Sequence, residues 1–246
     1  MLKINDLENI SKKYRLHLFE KFLLMKQGHV GSIFSMMDIV VAMYHCGYVR
    51  YDEKTSSFLD KVLISKGHAT SALYPILKDF GVIPKKEWDN WGHKDSILRV
   101  FGNNKIPGIE VTSGSLGHCV GVGSGMALSF KRSKINKKVF VIISEGELYE
   151  GSTWEALLFA KHYNLNNLTI IIDINSLIIL GKTKDCLNLD PIKDKIEGLG
   201  IKTLEVDGHN FKDLISTFNN SQDANELSCI LAKTIKGKGV KHMENK

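Results

Sequence analysis

Two residues with oxygen-bearing side chains stand just after apolar runs in the middle of the chain. Glu145 follows the run at 139–143, and Asn175 stands thirty residues further on, after the β-branched run at 168–172. A carboxylate and an amide oxygen are hard ligands of the kind that Mg²⁺ and Ca²⁺ prefer. If both runs are parallel strands joined by a helical crossover, both residues lie at the sheet edge where open α/β sheets bind ligands. We therefore expect a divalent metal here, held against a diphosphate.

The elements around these two residues alternate between strands and helices. Apolar runs predict strands at 62–65, 138–143, 168–174, 201–206 and 228–234. Helical spacing predicts helices from 5 or 6 to 28, and at 36–44, 69–80, 121–131, 152–163, 191–198 and 211–218. Strands that are apolar without alternation are typical of a sheet covered on both faces. The sequence therefore predicts an α/β fold, with a mostly parallel sheet and helices on both faces, as a single domain over 1–246.

Composition and charge restrict the class of protein. The chain carries 33 basic and 27 acidic residues, a formal charge of +6. The basic cluster at 131–138 contains no aromatic residue, so we expect no nucleic-acid groove. No apolar run approaches the roughly 20 residues that span a bilayer, so we expect no membrane association. Four scattered cysteines and a start without an apolar signal segment favour a cytoplasmic location with reduced thiols.

Histidine and glycine recur together at the predicted element boundaries. His29 stands in a Gly-His-Val-Gly loop, His68 follows a predicted strand, and a glycine-rich loop at 113–117 precedes a helix. A lone histidine is more often a hydrogen-bonded surface or core residue, but two beside glycine at such boundaries suit a ligand site. Gly146 would allow the backbone to approach a phosphate closely.

Several other titratable residues have simpler explanations. Glu150 could be an acidic residue favoured at a helix N-terminus by the helix dipole. His118, His209 and His242 have no partner identifiable in the sequence, and we assign them no functional role.

The order of these motifs resembles the N-terminal, diphosphate-binding half of the transketolase family. The matching segments are Gly-His-Val-Gly at 28–31, Ser-Lys-Gly-His at 65–68, the stretch 107–117, Ser-Glu-Gly-Glu at 144–147, Asp-Ile-Asn at 173–175, and 234–240. The resemblance covers nearly the whole chain. It implies a thiamine diphosphate-binding fold and the transfer of a two-carbon ketol unit from a ketose to an aldose.

The resemblance also implies roles for individual residues. Glu145, Asn175 and the main-chain carbonyl of Leu177 would hold the metal, Mg²⁺ or Ca²⁺. The residues implied to contact thiamine diphosphate are His68, Gly114, Ser115, Leu116, Gly146, Glu147 and Asn175. The residues implied to act in catalysis are His29, which would face the substrate, His68 and Glu150.

The pyrimidine-binding and C-terminal domains of a whole transketolase have no counterpart in the chain. We therefore expect a second subunit that carries both, in a hetero-oligomer with two copies of each subunit. The expected substrate is a sugar phosphate or an activated sugar.

The chain departs from the family pattern at four places. Glu145 replaces an aspartate, Ser144 replaces a glycine, the segment 100–104 lacks the family's substrate histidine, and a further family histidine would follow the last residues. Two alternatives stay open on these grounds. The acceptor could be an activated sugar in a biosynthetic pathway, or the chain could be a catalytically degenerate structural or regulatory subunit.

Overall fold

A computed structural model describes residues 2–223 and 225–246. The helices are α1 (Ile4–Met25), α2 (Val30–Ser35), α3 (Met37–His45), α4 (Tyr74–Asp79), α5 (Lys85–Asp89), α6 (Cys119–Arg132), α7 (Gly151–His162), α8 (Thr183–Cys186), α9 (Ile192–Gly198) and α10 (Phe211–Asp223). The strands are β1 (Tyr51–Asp52), β2 (Ser57–Phe58), β3 (Lys61–Ile64), β4 (Val139–Ser144), β5 (Leu168–Ile174), β6 (Leu177–Ile178), β7 (Gly181–Lys182), β8 (Lys202–Asp207) and β9 (Ser228–Lys233). Two 3₁₀ segments span Gly67–Leu73 and Glu145–Tyr149.

The central sheet has five parallel strands in the order β3-β4-β5-β9-β8. Ser144 at the end of β4 lies beside Asp173 in β5, and Ile174 lies beside Lys233 at the end of β9. The carboxyl ends of these strands therefore meet at one edge, which we call the carboxyl edge. The parallel sheet predicted from the apolar runs is confirmed.

Apolar side chains of the strands pack alternately on the two faces of the sheet. Phe140 and Ile142 of β4 belong to the core cluster under α1, α3 and α10, whereas Val141 and Ile143 belong to the cluster under α6, α7 and α9. All four are fully buried. Each such side chain stabilises the fold by about 1.5–3 kcal/mol relative to exposure. A strand covered on both faces has to be apolar throughout, which explains the absence of alternation in its sequence.

The structure differs from the sequence prediction in its short elements. The predicted helix at 69–80 is a 3₁₀ segment, Gly67–Leu73, followed by α4, and Pro75 lies in the first turn of α4. Proline fits that turn but would break a continuous helix, since it lacks an amide hydrogen. The hairpins β1–β2 and β6–β7 were not predicted, because strands of two residues leave no periodic pattern.

Among the described residues, no helix combines the length and the apolar character needed to cross a membrane.

Candidate active site

The Glu145 carboxylate, one of the predicted metal ligands, is bonded to the turn that carries Asn175 at the carboxyl edge. The Glu145 carboxylate accepts a hydrogen bond from the Ser176 amide at 2.9 Å, and its other oxygen accepts one from the Thr183 hydroxyl. The Asn175 side-chain oxygen accepts from the amide of Leu177 at 3.2 Å. Glu145 is only 8% exposed. The turn at 175–177 therefore folds directly over the Glu145 carboxylate.

The oxygen donors in this turn fit a hard divalent cation. Each carboxylate oxygen and the amide oxygen has two lone pairs, and the hydrogen bonds seen here use one of each. Within residues 2–223 and 225–246, no group of three or more His, Cys, Asp or Glu side chains could hold a metal by itself. Mg²⁺ commonly binds to one or two side chains and completes its shell with water and phosphate oxygens. The side-chain oxygens of Glu145 and Asn175 are suited to this mode of Mg²⁺ binding.

Two glycines allow loops to approach the site closely. A Cβ on Gly67 would lie 2.3 Å from the carbonyl oxygen of Ser113, and a Cβ on Gly146 would lie 2.6 Å from the side chain of Ile178. The first contact brings the loop at 113–117 against the residue that precedes His68. The second brings the β6–β7 hairpin against the start of the 3₁₀ segment that follows β4.

Glu147 lies beneath the loop at 113–117 and holds it to the sheet. Its carboxylate accepts hydrogen bonds from the Ser65 hydroxyl and, at 2.9 Å, from the amide of Gly117. The side chain is fully buried, and this burial raises the pKa of Glu147. Sequence reasoning placed Glu147 in contact with the cofactor, whereas the structure turns its side chain toward the protein interior.

The residues at the tip of this loop are open to solvent. Gly114 and Ser115 are exposed, Leu116 is half-buried, and a Cβ on Gly114 would find only the ring of Phe101, at 3.9 Å. The main chain there is accessible to a ligand.

His29 and His68 lie side by side at the same edge. Their ring centroids are 5.1 Å apart, and the Phe101 ring stands 5.8 Å from that of His29. The pKa of His68 is lowered from its ordinary value to about 4, mainly by burial and to a lesser extent by the nearby charges of Lys66, His29 and Lys236. His68 is therefore neutral at pH 7, while His29 stays exposed.

A buried ion pair lies below the two histidines. Lys66 is 1% exposed and binds the carboxylate of Asp173, which is fully buried. Asp173 also accepts hydrogen bonds from the hydroxyls of Ser35, at 2.5 Å, and Thr234. Lys66 donates a further hydrogen bond to the Ser32 carbonyl at 3.0 Å. This pair joins α2 to the ends of β3, β5 and β9.

Lys236 is a second cation at the edge, and sequence reasoning missed its role. Its stem packs against Gly31, where a Cβ would lie 3.0 Å away, and it is close enough to lower the pKa of His68. Burial and the charge of Lys66 lower its own pKa. No salt bridge engages Lys236 in the part of the chain that the structure describes. Its position in the Thr-Ile-Lys-Gly-Lys-Gly-Val segment was the available signal.

Glu150 lies beside the loop at 113–117. It precedes α7, its side chain is exposed, and a Cβ on Gly117 would lie 2.7 Å from the Glu150 Cβ. The structure thus places Glu150 next to the end of the loop, against Gly117.

His209 has partners that the sequence did not reveal. Its Nδ1 lies 2.7 Å from an oxygen of Asp38, and its Nε2 accepts a hydrogen bond of 2.8 Å from the amide of Ile235. Both ring nitrogens are therefore engaged, although the sequence offers no partner for His209, and the assignment of no functional role stays a prediction.

Comparison with known proteins agrees with this fold and shows the family of the chain. Residues 8–246 match the transketolase thiamine diphosphate binding domain, and the chain belongs to that family. It is 36% identical to one of the subunits of the apulose-4-phosphate transketolase of Phocaeicola vulgatus, over 99% of this chain and 87% of that protein. It is 31% identical to the 6-deoxy-6-sulfo-D-fructose transketolase subunit SqwG of a Clostridium species, over 98% of this chain and 89% of that protein.

The fold also matches one part of a whole transketolase. The crystal structure of Campylobacter jejuni transketolase superimposes with a TM-score of 0.91 at 23% identity, and the match covers 100% of this chain but 40% of that one. The predicted family, the fold class, the transketolase-type function and the thiamine diphosphate-binding domain are confirmed. The roles of the individual site residues and the single-domain boundary at 1–246 stay predictions.

Proposed function

We propose that this chain is the thiamine diphosphate-binding subunit of a split transketolase that acts on anionic sugars. The observation that supports it most is the convergence, at one edge of the sheet, of the Glu145–Asn175 turn, the open loop at 113–117 and the His29–His68 pair. Ligand oxygens, accessible main-chain amides and imidazoles are the three kinds of group that a metal-bound diphosphate with a reacting sugar requires.

Glu145, Asn175 and the Leu177 carbonyl would hold the metal, for which we propose Mg²⁺, with Ca²⁺ as the other hard cation suited to the same oxygens. The hydrogen bonds from Ser176 and Thr183 fix the Glu145 carboxylate, so little side-chain entropy is lost when a cation binds. Burial of this site would strengthen the attraction between the carboxylate and a cation.

The diphosphate would lie over Gly114, Ser115, Leu116 and Gly146. The exposed main chain of the loop offers amide hydrogens, and Lys236 supplies a positive charge that no acidic side chain in the described ranges neutralises. Neutral His68 would donate or accept one hydrogen bond to the cofactor without adding charge. Glu147 would act by holding the loop in place.

His29 would face the sugar and exchange protons with its hydroxyl groups, since it is the exposed member of the pair. When bound, thiamine diphosphate supplies the carbanion-stabilising centre that the side chains of the protein lack. Glu150, exposed beside the loop, would stand where a second subunit could reach it.

A partner subunit completes the proposal. Two relatives that this chain matches over most of their length are named as transketolase subunits, which supports a partner. We propose that the partner carries the pyrimidine-binding and C-terminal domains, with two copies of each subunit in the assembly. The same two names refer to a sugar phosphate and a sulfo sugar, so we propose a ketose that bears a negatively charged group. The unpaired cysteines fit a cytoplasmic location.

The test is a titration of thiamine diphosphate and MgCl₂ into the chain assembled with its partner, followed by an assay of ketol transfer. The variant Glu145→Gln should reduce Mg²⁺-dependent cofactor affinity about tenfold or more, since it removes the ligand charge, a change worth about 1.4 kcal/mol or more. Glu155→Gln, an exposed glutamate on α7, serves as the matched control and should bind as the wild type does.

Two results would count against the proposal. Equal cofactor affinity of the wild type and Glu145→Gln would remove Glu145 from the metal site. An absence of any binding heat in the assembled wild type would favour a structural subunit instead.

A further inference from the structure

A buried polar cluster lies behind the segment that carries Lys236. We call it the Asp38 cluster, and it consists of Ser11, Arg15, Asp38 and His209. Asp38 accepts two hydrogen bonds from Arg15, at 2.8 and 2.7 Å, and one from the Ser11 hydroxyl. Asp38 is 5% exposed, and His209 lies 2.7 Å from its second oxygen. The cluster joins α1, α3 and the turn between β8 and α10.

The hydrogen bonds of His209 define its protonation state. Nε2 accepts from the Ile235 amide at 2.8 Å, so this nitrogen carries no hydrogen. The hydrogen must then be on Nδ1, where it is donated to Asp38. A protonated imidazolium has two donors and could not make both contacts. Arg15 already neutralises Asp38, so no second positive charge is required there.

Among the residues that the structure describes, the sheet offers the Ile235 amide no other partner. β9 ends at Lys233, and the Thr234 amide makes the last bond toward β5, to the Ile174 carbonyl at 2.8 Å. Ile235 is the next residue, beyond the end of the ladder. His209 therefore accepts the first amide hydrogen that β9 leaves unpaired, and main-chain amides of this kind require an acceptor.

The turn that carries His209 is held closely against the same strand end. The Gly208 amide donates to the Lys233 carbonyl at 2.8 Å, and a Cβ on Gly208 would lie 2.5 Å from the Thr234 side chain. His209 donates its own amide hydrogen to Asp207 at 2.9 Å. The position of the His209 ring relative to Ile235 is therefore set by short contacts on both sides.

The segment beyond Ile235 connects the cluster to the candidate active site. The Gly237 amide donates to the Gly31 carbonyl at 3.0 Å, and the Lys236 stem packs on Gly31. Arg15 donates to the Phe34 carbonyl at 2.8 Å, and its stem lies against Gly239. The Asp38 cluster thus contacts both the segment at 235–239 and the helix that follows His29.

We propose that His209 is a positioning residue: a neutral Nδ1–H imidazole, fixed by Asp38, that anchors the main chain at Ile235 so that Lys236 lies beside His68 and His29. The inference rests on the proposed cofactor site for its effect on binding. The anchoring itself is a property of the chain before any ligand binds, so the two can fail separately.

The first test compares His209→Phe with His45→Phe in the enzyme assembled with its partner. His45 is a matched control, because it is also half-buried and its Nε2 bonds to a hydroxyl, that of Tyr14 at 3.0 Å, in a cluster of α1 and α3 separate from the 234–239 segment. His209→Phe should weaken thiamine diphosphate binding about tenfold, with a smaller effect on kcat at saturating cofactor. His45→Phe should leave cofactor affinity unchanged even where it lowers the Tm. His209→Gln, whose amide oxygen can accept from Ile235, should recover most of the lost affinity.

The second test reads the anchoring without a cofactor. Nitrogen-15 NMR of the unliganded chain should show His209 as the Nδ1–H tautomer at neutral pH, and hydrogen exchange should show a protected Ile235 amide that His209→Gln largely retains. This measurement decides the matter even if His209→Phe does not fold, or if the wild type binds no thiamine diphosphate and the proposed function fails. An Nε2–H tautomer, an imidazolium, or an equal loss of cofactor affinity in His45→Phe would overturn the proposal.

Discussion

The buried pair of Lys66 and Asp173 allows a sharp test of what holds the carboxyl edge together. Both side chains are almost completely removed from solvent, and Asp173 also receives the hydroxyls of Ser35 and Thr234. Replacing Lys66 by methionine keeps the volume of the side chain and removes the charge. Asp173 would then be a buried carboxylate with two neutral donors and no cation.

The expected cost follows from the burial of the pair. Removal of one partner from a buried ion pair destabilises a protein by about 3–5 kcal/mol, because the remaining charge is left uncompensated. Since Ser35 and Thr234 still donate to Asp173, we expect the lower end, about 3 kcal/mol. For a chain of this size that corresponds to a Tm lower by roughly 6–12 °C. Lys85→Met is the control, because Lys85 pairs with Asp89 on the surface at 80% side-chain exposure. It should cost no more than about 0.5 kcal/mol.

The assay is urea and thermal unfolding of the wild type, the two single variants Lys66→Met and Asp173→Asn, and the double variant. The double variant should be less destabilised than the sum of the singles, because it leaves no uncompensated charge. Additive free energies, or a Lys66→Met variant as stable as the Lys85→Met control, would refute the reasoning.

Two further predictions concern the site itself. Gly67→Ala should lower the free energy of unfolding by about 1–3 kcal/mol and weaken cofactor binding, because its Cβ would displace the Ser113 carbonyl. The control is Gly125→Ala, whose Cβ meets no atom within 4 Å and which should be neutral or stabilising in the same unfolding assay. Equal stability of the two variants would contradict the prediction. The pKa of His68 is about 4 in the folded chain against an ordinary value of 6.5, so the unfolded chain binds its proton first as the pH falls. The contribution of His68 to the stability of the unliganded chain should therefore rise with pH from about 4 to about 6.5 and stay constant above that. Urea unfolding at pH 5 and pH 7 measures the difference in free energy of unfolding. The variant His68→Gln should reduce that difference, and an unchanged difference would contradict the prediction.

The features that the sequence predicts well are those set by local patterns. The runs at 139–143 and 168–172 predict buried parallel strands, and the residues that follow such strands lie at one edge for geometric reasons. Glu145, Asn175 and His68 could therefore be brought together without a structure. The glycine loop at 113–117 joins them through Gly67, a contact that the sequence suggests only by the absence of a side chain there.

The features that the sequence does not predict depend on pairs of residues far apart along the chain. The order of the strands places β9 between β5 and β8, and it is this order that brings Ile235 next to His209. Asp38 and His209 are 171 positions apart, so no spacing rule connects them. The sequence indicates Lys236 only as part of a segment rich in lysine and glycine. Its position beside Gly31 and its effect on the pKa of His68 depend on neighbours that are far away along the chain.

Glu145 shows how contacts between residues far apart along the chain change the interpretation of a substitution. Seen in the sequence alone, the extra methylene of Glu145 weakens the case for a metal site, since Mg²⁺ demands near-ideal geometry. In the fold, the β6–β7 hairpin returns the chain so that the Thr183 hydroxyl reaches one carboxylate oxygen while the Ser176 amide binds the other. These two donors hold the longer side chain in a single position over the turn that begins at Asn175. The hairpin thus supplies the hydrogen bond that holds the longer side chain of Glu145. The substitution is therefore compatible with a carboxylate that binds a cation.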